Sequence, residues 1–559
     1  MEKEKELSRL TIWFRRHRLG RADKSKIALS VIYLLLVFYP LICMFSNISI
    51  ENVKNVVQSY VFGKAVLNTL LSAVLSTLIT IILAFALASW VERTNIKLRN
   101  FFAIIFVIPM LIPSISNGMS LIILFGNNGI INRFLGINVH IYGLLGITLG
   151  EILYAFPVAF LMISDILRYE DSTPYEAADV LGIPKLRKFS AITFPYLRKP
   201  LLSVIFSTFT LIVTDYGVPL IVGGKFMTIP VVMYQEVIGQ LDFGKGAVYG
   251  SMLLLPAVVA FLIDLFNKDK GNSTFVVKPH TPSDKMTKKV VAYIGCIVIS
   301  LFALLPVFAF GVLAFVNDYP NDMTITMGNF SSVINSRAGD YLVNSLLIAL
   351  FVSCLGVLIA FLTAYLSARM KSKVSRFLHL SSIVSAAIPG VVLGLSYVLS
   401  FKGSFIYGTL IILIMVNLVH FISSPYLMIY NSLSKINENL EPIAQTMGVG
   451  RRYIIKDVLI PQCKGTILEM FSYFFVNCMM TISAVSFLAS TSNKPVSLMI
   501  NQFEAQMQLE YAAVVSLMIL FVNLLIKGIA HIIKTKYKLK KTHIKGNKQS
   551  NEKKQTTYA

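Results

Sequence analysis

The stretch "EAADVLGIPKLRKFSAITFP", residues 176–195, lies between two long apolar runs, and "PIAQTMGVGRRYIIKDVLIP", residues 442–461, lies between two others. The two stretches have the same length and share three landmarks at a constant spacing: Ala178 with Ala444, Gly182 with Gly448, and Pro195 with Pro461. A polar stretch marked by glycine and proline, repeated in an otherwise apolar chain, indicates a duplicated segment that faces water.

The composition places the chain in a membrane. Of its 559 residues, 55% are hydrophobic and only 14% are charged, whereas soluble domains are about a quarter charged. The net charge of +23 could suggest nucleic acid, but in a membrane protein it favours basic loops on the cytoplasmic side, so we expect no nucleic-acid partner. The five cysteines show neither disulfide nor zinc-ligand spacing.

Twelve apolar runs are long enough to cross a bilayer, since a membrane helix requires about 20 apolar residues. They occupy residues 27–47, 65–91, 101–124, 141–166, 200–222, 247–267, 290–316, 341–367, 377–401, 405–430, 466–490 and 511–533.

The basic residues predict the orientation of these runs. If the N-terminus is cytoplasmic, 43 of the 51 Lys and Arg residues lie on the inner side, as the positive-inside rule requires. The eight on the outer side are Lys54, Lys64, Arg133, Lys225, Lys245, Arg337, Lys402 and Lys494. This bias predicts a multi-pass protein of the cell membrane. Both termini and both repeated stretches, residues 176–195 and 442–461, are then in the cytoplasm.

The two halves of the chain repeat one design. "NTLLSAVLSTLITIILAFALASWVER" from Asn68 resembles "NSLLIALFVSCLGVLIAFLTAYLSAR" from Asn344, and "PSISNGMS" (113–120) matches "PGVVLGLS" (389–396) in the same register. Six spans return the chain to its starting side, so the halves are parallel repeats. We therefore predict an all-α integral membrane protein with about twelve transmembrane helices as two parallel six-helix repeats.

The repeat also predicts the domain boundaries. Residues 1–267 form the first half and residues 290–534 the second. The polar segment 268–289, which carries Gly, Pro and Ser, is expected to be a cytoplasmic linker. Residues 535–559 form a basic cytoplasmic tail.

Each duplicated loop predicts two short helices. In the first copy Thr173-Pro174 begins a helix, Gly182 caps it with a positive φ, and Pro195 ends a second helix. Such short helices are marginal in water on their own and need a partner surface. The alternative is an ordinary helical loop that closes two spans.

The Glu-Ala-Ala pattern with Gly and Pro at fixed distances resembles the EAA loop of importer permeases of the ATP-binding-cassette class. The resemblance implies that the loops dock on two copies of a separate ATPase, which binds ATP, and that an extracytoplasmic solute-binding protein delivers the solute. The chain itself then carries no cofactor and is a permease subunit rather than an enzyme. The implied ATPase-coupling residues are Glu176, Ala177, Ala178, Gly182, Ile192, Pro195, Ala444, Gly448, Val458 and Pro461.

The sequence departs from this family pattern at a few positions. Phe194 stands where the family usually has Leu, and in the second copy Pro442 and Ile443 replace the Glu-Ala start, with Glu441 one position early. No G-x-x-x-x-G-K-[ST] phosphate loop occurs in the chain, which agrees with ATP hydrolysis on another subunit.

Polar groups inside the spans are candidates for the substrate path, because such groups are costly in lipid. They are Asp215 and Glu151 and their repeat partners Thr481 and Asn417. The alternative for Asp215 is a structural carboxylate, hydrogen-bonded to Thr214 or a neighbouring helix, that fixes the break before Gly217 and Pro219.

The substrate follows only from resemblance. "TDYGVPLIVGG" (214–224) and the segment after it resemble permeases for 2-aminoethylphosphonate and, more loosely, those for ferric iron, thiamine and polyamines, so a phosphonate is the first expectation. An ion-coupled secondary transporter, with Glu151 and Asp215 as coupling groups, is the rival from another class. No nucleophile–base set or cofactor fingerprint in the sequence favours an enzyme.

Overall fold

The computed structural model describes residues 21–137, 139–267, 282–370 and 372–556, and these residues are helical almost throughout. Among them the only sheet is a two-stranded antiparallel hairpin of β1 (Val316–Asp318) and β2 (Asp322–Ile325). Residues 268–281, most of the predicted linker, lie outside the described residues. At its end Ser283 pairs with Thr94 in an isolated bridge, and the next helix begins at Met286, inside the predicted linker.

The first half contains fourteen described α-helices. They are α1 (Arg21–Tyr33), α2 (Tyr39–Ser46), α3 (Ile50–Gln58), α4 (Tyr60–Arg93), α5 (Arg99–Val107), α6 (Ser114–Phe125), α7 (Ile130–Leu135), α8 (Leu144–Arg168), α9 (Thr173–Val180), α10 (Lys185–Lys188), α11 (Phe194–Val213), α12 (Gly217–Val222), α13 (Ile229–Tyr234) and α14 (Phe243–Asn267).

The second half contains twelve described α-helices in a matching order. They are α15 (Met286–Leu313), α16 (Gly328–Val333), α17 (Gly339–Ala368), α18 (Lys373–Val384), α19 (Gly390–Phe401), α20 (Leu410–Phe421), α21 (Ser423–Ser434), α22 (Leu440–Thr446), α23 (Arg451–Tyr453), α24 (Ile460–Met480), α25 (Ser497–Ala505) and α26 (Leu509–Thr556).

The helix lengths confirm the all-α membrane fold. Among the described residues, eight helices are long and apolar enough to cross a bilayer, and three bent helix pairs raise the number to eleven. The remaining predicted run, 466–490, corresponds to α24, which has 21 residues and rises about 30 Å. It carries Lys464 and Glu469, which lower its apolar character.

Three of the twelve predicted spans are bent helix pairs in the structure. The run 101–124 bends by 99°, 377–401 by 109° and 405–430 by 52°. Two of the bends occur at Pro113 and Pro389, each of which directly precedes a new helix. Proline disfavours helical geometry in the residue before it, which accounts for these two breaks.

The fifth span of each half is also shorter than predicted. The run 200–222 is helical as α11 only to Val213, and 466–490 is helical as α24 only to Met480. The chain then turns and forms short segments, such as α12, that lie between the two halves. These two breaks are called here the first break (residues 214–217) and the second break (residues 481–486).

The first helix of each half packs against the other half. At the start of the chain, Tyr397 donates a hydrogen bond to the Leu36 carbonyl at 2.8 Å, and the Lys26 ammonium donates to the Met370 carbonyl at 2.9 Å. In the second half, α15 packs on α5 and α4, where the Trp90 indole lies over Gly295. The two halves therefore exchange their first spans, and neither half of the sequence is a separate body.

Candidate functional site

The two duplicated loops end their first helices in the same way. In the first loop (residues 169–195), the amides of Ile183 and Gly182 donate to the carbonyls of Ala178 and Asp179 at 3.0 and 3.1 Å, and Gly182 has a φ of +65°. This is a Schellman cap. The predicted helix start at Thr173-Pro174 and the positive φ of Gly182 are both confirmed.

The second loop (residues 435–461) has the same cap, with the same pair of backbone hydrogen bonds and a glycine at positive φ. The amides of Val449 and Gly448 donate to the carbonyls of Ala444 and Gln445 at 2.8 and 3.2 Å, and Gly448 has a φ of +73°. A Cβ added at Gly448 or at Gly182 would meet no atom within 4 Å. Glycine is therefore required here for its backbone conformation and not for lack of space.

Both loops present apolar side chains to solvent. Val180 and Leu186 in the first loop are 88% and 87% exposed, and Met447 in the second is 74% exposed. Exposed apolar side chains grouped on a loop mark a contact surface for another protein.

The prediction that Pro195 ends the second helix is wrong. The chain passes from α10 through a π-turn at Phe189–Thr193 directly into α11, with Pro195 in the first turn of α11. The second loop repeats this with a π-turn at Ile454–Leu459 and Pro461 in the first turn of α24. A π-turn changes the local hydrogen-bond register, so the proline, which has no N–H, follows it without a break.

The remaining predicted coupling residues lie around these caps and turns. Ala178 is buried, Glu176 and Ala177 are exposed, and the Glu176 carboxylate accepts a hydrogen bond from the Ser172 hydroxyl at 3.2 Å. Ile192 and Val458 are half-buried in the π-turns, and Ala444 is half-buried in α22; Pro195 and Pro461 are exposed.

An ion pair anchors the first loop to the end of α4. The Arg93 guanidinium pairs with the Glu170 carboxylate, whose side chain is 3% exposed. The Tyr175 hydroxyl donates to the same carboxylate and lies 2.8 Å from the Thr193 hydroxyl. Burial, together with the bond to Glu170, raises the pKa of Tyr175 to about 12, so the phenol keeps its proton at neutral pH.

A stronger anchor holds the second loop to the end of α17. The Arg369 guanidinium, 2% exposed, pairs with both oxygens of Glu441, at 2.9 Å from Nε and 2.5 Å from Nη2. It also donates to the carbonyls of Ile436 and Asn437, each at 2.6 Å. Bidentate pairing of this kind fixes both distance and orientation.

The two anchors use the same arginine and different acids. Arg93 and Arg369 occupy the same position in the repeat, but Glu441 stands where the first half has Tyr175. Glu176 bonds to Ser172 while Glu441 bonds to Arg369. The two glutamates therefore have different contacts, and only Glu176 occupies the Glu position of the family pattern.

The first break is built around Asp215. Its Oδ1 accepts a hydrogen bond from the Ser114 hydroxyl at 2.6 Å, and its Oδ2 accepts from the Val218 amide at 2.9 Å. The Thr214 hydroxyl donates to the Thr210 carbonyl instead. Asp215 thus joins α6 to the start of α12. This contact matches the alternative in which Asp215 is a structural carboxylate that is hydrogen-bonded to a neighbouring helix.

The second break has the same shape and complementary residues. A Cβ at Gly217 would lie 2.4 Å from the Ser114 hydroxyl, and a Cβ at Gly390, the repeat partner of Ser114, would lie 2.2 Å from the hydroxyl of Ser483, the partner of Gly217. Each break therefore holds one serine and one glycine in exchanged positions. Thr481 replaces Asp215, and its carbonyl accepts from the Ser497 hydroxyl at 2.7 Å.

The two breaks meet at the boundary between the halves. The hydroxyls of Tyr216 and Ser486 lie 2.5 Å apart, and the Tyr216 ring stacks on Tyr234 with a centroid distance of 5.0 Å. Tyr234 in turn contacts Phe487 and accepts a hydrogen bond from the Asn501 amide at 3.2 Å. This cluster connects the two halves at the level of the breaks.

Glu151 and Asn417 occupy equivalent buried positions, on α8 and α20. Glu151 is 1% exposed, and within the described part of the chain no group bonds to its Oε2. The Asn417 amide donates to the Leu413 carbonyl at 2.8 Å. Across the described ranges, no group of three or more His, Cys, Asp or Glu side chains could hold a resident metal ion.

Comparison with known proteins identifies the family that has this architecture. Two stretches, residues 80–268 and 356–539, match the family described as the binding-protein-dependent transport system inner membrane component. Together they cover about two thirds of the chain, one stretch in each half. The chain belongs to this family. It is the fused, two-half permease of an ATP-binding-cassette importer, a multi-pass protein of the inner membrane.

Three similar relatives are named as ferric transport permeases. The chain is 24% identical over 521 residues to ferric transport system permease protein FbpB of Actinobacillus pleuropneumoniae, covering 87% of this chain and 74% of the relative. It is 25% identical over 513 residues to putative FbpB 1 of Haemophilus influenzae, covering 85% and 79%. It is 22% identical over 483 residues to FbpB 2 of that organism, covering 85% and 90%.

Several residues of this permease site were missed by the sequence analysis. Arg93 and Arg369 recur at one position of the repeat, and this recurrence was the signal that could have identified the loop anchors. The partners of Asp215 and Tyr216, which are Ser114 and Ser486, lie 101 and 270 residues away in sequence, and nothing in the local sequence pairs them.

Proposed function

We propose that this permease moves ferric iron, delivered by a solute-binding protein, into the cell. The observation that carries the proposal is the alignment of three permeases named for ferric transport over 85–87% of the chain, through both halves. Iron is carried here as substrate, not as a resident cofactor. This ranks ferric iron above 2-aminoethylphosphonate, the first expectation from the sequence.

In this proposal the two loops dock on two copies of an ATPase. Each loop offers a capped helix, exposed apolar side chains and an ion pair that ties it to a span. ATP binds on the ATPase, and the chain needs no cofactor of its own. Closure of the ATPase pulls on both anchors and moves one set of helices against the other, a two-state change biased by a ligand.

The substrate path then runs between the halves at the two breaks. Asp215 and Glu151 supply carboxylates on the first-half side, while Thr481 and Asn417 supply neutral oxygens on the other. Carboxylate and carbonyl oxygens suit hard cations. Among the described residues, no third His, Cys, Asp or Glu side chain joins these two carboxylates in a metal-holding group. An incomplete ligand set of this kind suits passage, since a transit site must also release its ion.

The proposal also fixes the orientation. The loops and both termini lie in the cytoplasm, where the positive-inside rule puts most of the basic residues. β1, β2 and α7 then lie on the outer face of the membrane. A solute-binding protein delivers its solute to this face.

The test is reconstitution into liposomes. We expect uptake of radioactive iron from the loaded binding protein only when ATPase and ATP are both present on the loop side. Uptake by the chain alone on an ion gradient would establish the ion-coupled alternative and contradict the proposal.

A parallel measurement tests the substrate. The thermal unfolding temperature of the binding protein is measured with ferric ion and with 2-aminoethylphosphonate. We expect a shift with ferric ion. A shift with 2-aminoethylphosphonate alone would assign the permease to phosphonate uptake while leaving the importer mechanism intact.

A further inference from the structure

The exchange of first spans creates two equivalent seams, and they are packed differently. One seam lies between α15 and α5 and the other between α1 and α18. Aligning Pro306 of α15 with Pro40 of α1 places Tyr293 opposite Ile27. The residues that fill a seam can therefore be compared position by position.

The seam at α15 is closed by aromatic side chains. The Trp90 ring lies directly over Gly295, where a Cβ would come within 2.1 Å of it. Tyr293 packs edge-on against Phe102 and accepts a hydrogen bond from the Lys97 amide at 3.0 Å.

The seam at α1 is open. A groove of about 440 Å³, with only apolar atoms on its walls, runs between α1 and α18. That volume lies in the range that holds a small ligand. Its walls are Ile27, Ser30, Val31, Leu34, Lys373, Val374 and Phe377. The Ser30 hydroxyl bonds back to the Lys26 carbonyl at 2.8 Å, so it presents no polar group to the groove.

The groove follows the helix axis and opens sideways to the bilayer. Ile27, Val31 and Leu34 are 41–46% exposed and span about 10 Å along α1 and the π-turn that continues it at Leu34–Phe38, at about 1.5 Å per residue. The Phe38 ring stacks on Phe377 at a centroid distance of 6.4 Å, which closes the deeper end. An apolar groove that is open to lipid along its length fits a hydrocarbon chain.

The mouth of the groove is positively charged. Exposed Lys373 is the first residue of α18, and exposed Arg376 lies one turn further on. The Lys26 ammonium is buried and bonds to the Ser372 hydroxyl at 3.0 Å, and Ser372 caps the start of α18 by accepting from the Ser375 amide at 3.1 Å. Lys373 and Arg376 are therefore the exposed charges at the mouth, and basic pockets between membrane helices on the cytoplasmic side bind anionic lipid headgroups.

We propose that this groove binds one anionic phospholipid, with an acyl chain along α1 and its phosphate at Lys373 and Arg376. The lipid takes the place that Tyr293 and its neighbours occupy in the other seam. Because α1 belongs to the first half and α18 to the second, the lipid joins the two halves at one seam only. The site is independent of the transported substrate.

The test is lipid retention by the purified full-length chain in detergent, measured by native mass spectrometry after exposure to mixed phosphatidylglycerol and phosphatidylcholine. We expect one retained phosphatidylglycerol per chain. Val31→Trp fills the groove and should abolish retention, whereas Ile297→Trp, at the equivalent lipid-facing position of α15, should not change it.

A second pair of variants tests the charge without altering the packing. Lys373→Gln should lower the preference for phosphatidylglycerol over phosphatidylcholine about fivefold, the contribution of one lysine near an anionic surface, and Lys97→Gln, at the equivalent position of the closed seam, should leave it unchanged. Equal retention by wild type, Val31→Trp and Lys373→Gln would overturn the proposal. So would retention of phosphatidylcholine at the same level as phosphatidylglycerol in the wild type.

Discussion

The first and second halves solve the same two problems with different residues. Each half must tie its loop to the end of its second span, and each must break its fifth span near the boundary between the halves. The loops are tied by Arg93 to Glu170 and by Arg369 to Glu441. The helix caps at Gly182 and Gly448, by contrast, are the same in both halves.

This difference separates what the backbone requires from what the side chains can vary. A positive φ is available at low cost only to glycine, so both copies retain it. An ion pair requires only that opposite charges meet. The acid can therefore precede the first helix of the loop, as Glu170 does, or lie within that helix, as Glu441 does. The serine–glycine pairs at the two breaks vary in the same way. The serine can occupy either position, because only the combined volume of the pair is fixed.

The largest expected effect breaks the stronger anchor. Arg369→Ala leaves Glu441 without its partner, and loss of one member of a buried pair costs about 3–5 kcal/mol. We expect the second loop to lose its position and ATPase co-purification to fall strongly, with membrane insertion intact. Arg93→Ala should cost less, because Arg93 is 26% exposed. Equal losses in the two variants would contradict the difference between the anchors.

The second-largest expected effect concerns the Asp215 carboxylate, which has the uncharged Thr481 as its repeat partner in the second half. Asp215→Asn keeps the shape of the side chain but weakens charge-assisted bonds worth about 1.5–3 kcal/mol. We expect iron uptake to fall while assembly with the ATPase is unchanged. Thr481→Val, the matched change in the second break, should reduce uptake less. Normal uptake by Asp215→Asn would leave the carboxylate with its structural role alone.

The serine–glycine exchange gives a smaller effect with an internal rescue. Gly217→Ser overpacks the first break against Ser114, at a cost of about 1–3 kcal/mol. Adding Ser114→Gly recreates the arrangement of the second break and should recover part of the lost thermal stability. If the double variant is no more stable than Gly217→Ser alone, the two positions are not coupled.

The smallest effect concerns the shared caps. Gly182→Ala adds a methyl group that meets no atom within 4 Å, so its cost is only that of a positive φ, about 1–2 kcal/mol. We expect a modest loss of ATPase association, and a similar loss for Gly448→Ala. Gly450→Ala, in the same loop but with an ordinary φ of −69°, is the control and should behave as wild type.

The repeat in the sequence predicted what is local and periodic. The long helices, the caps at Gly182 and Gly448, and the helix start at Thr173-Pro174 follow from patterns within a few residues. The π-turns before Pro195 and Pro461 did not, because proline usually ends a helix and the sequence does not show when a change of register accommodates it.

The contacts between distant segments could not be predicted. Arg93 meets Glu170 because α4 and α8 pack side by side, and Tyr216 meets Ser486 because the two breaks meet at the boundary between the halves. Bends at Pro113 and Pro389 could be suspected from proline, but the direction of each bend is set by packing with neighbouring helices. Asp215 was recognised as important, and its partner Ser114 was not.

The account rests on the two loops sharing one face of the membrane and one kind of partner. The direct measurement is labelling of single cysteines at positions 180 and 446, the exposed last residues of the two capped helices, in a chain whose five native cysteines have been replaced, with a membrane-impermeant maleimide. We predict that both positions react only in inverted membrane vesicles and that added ATPase protects both. Reaction of the two positions from opposite faces would contradict the account, as would labelling that the ATPase does not slow.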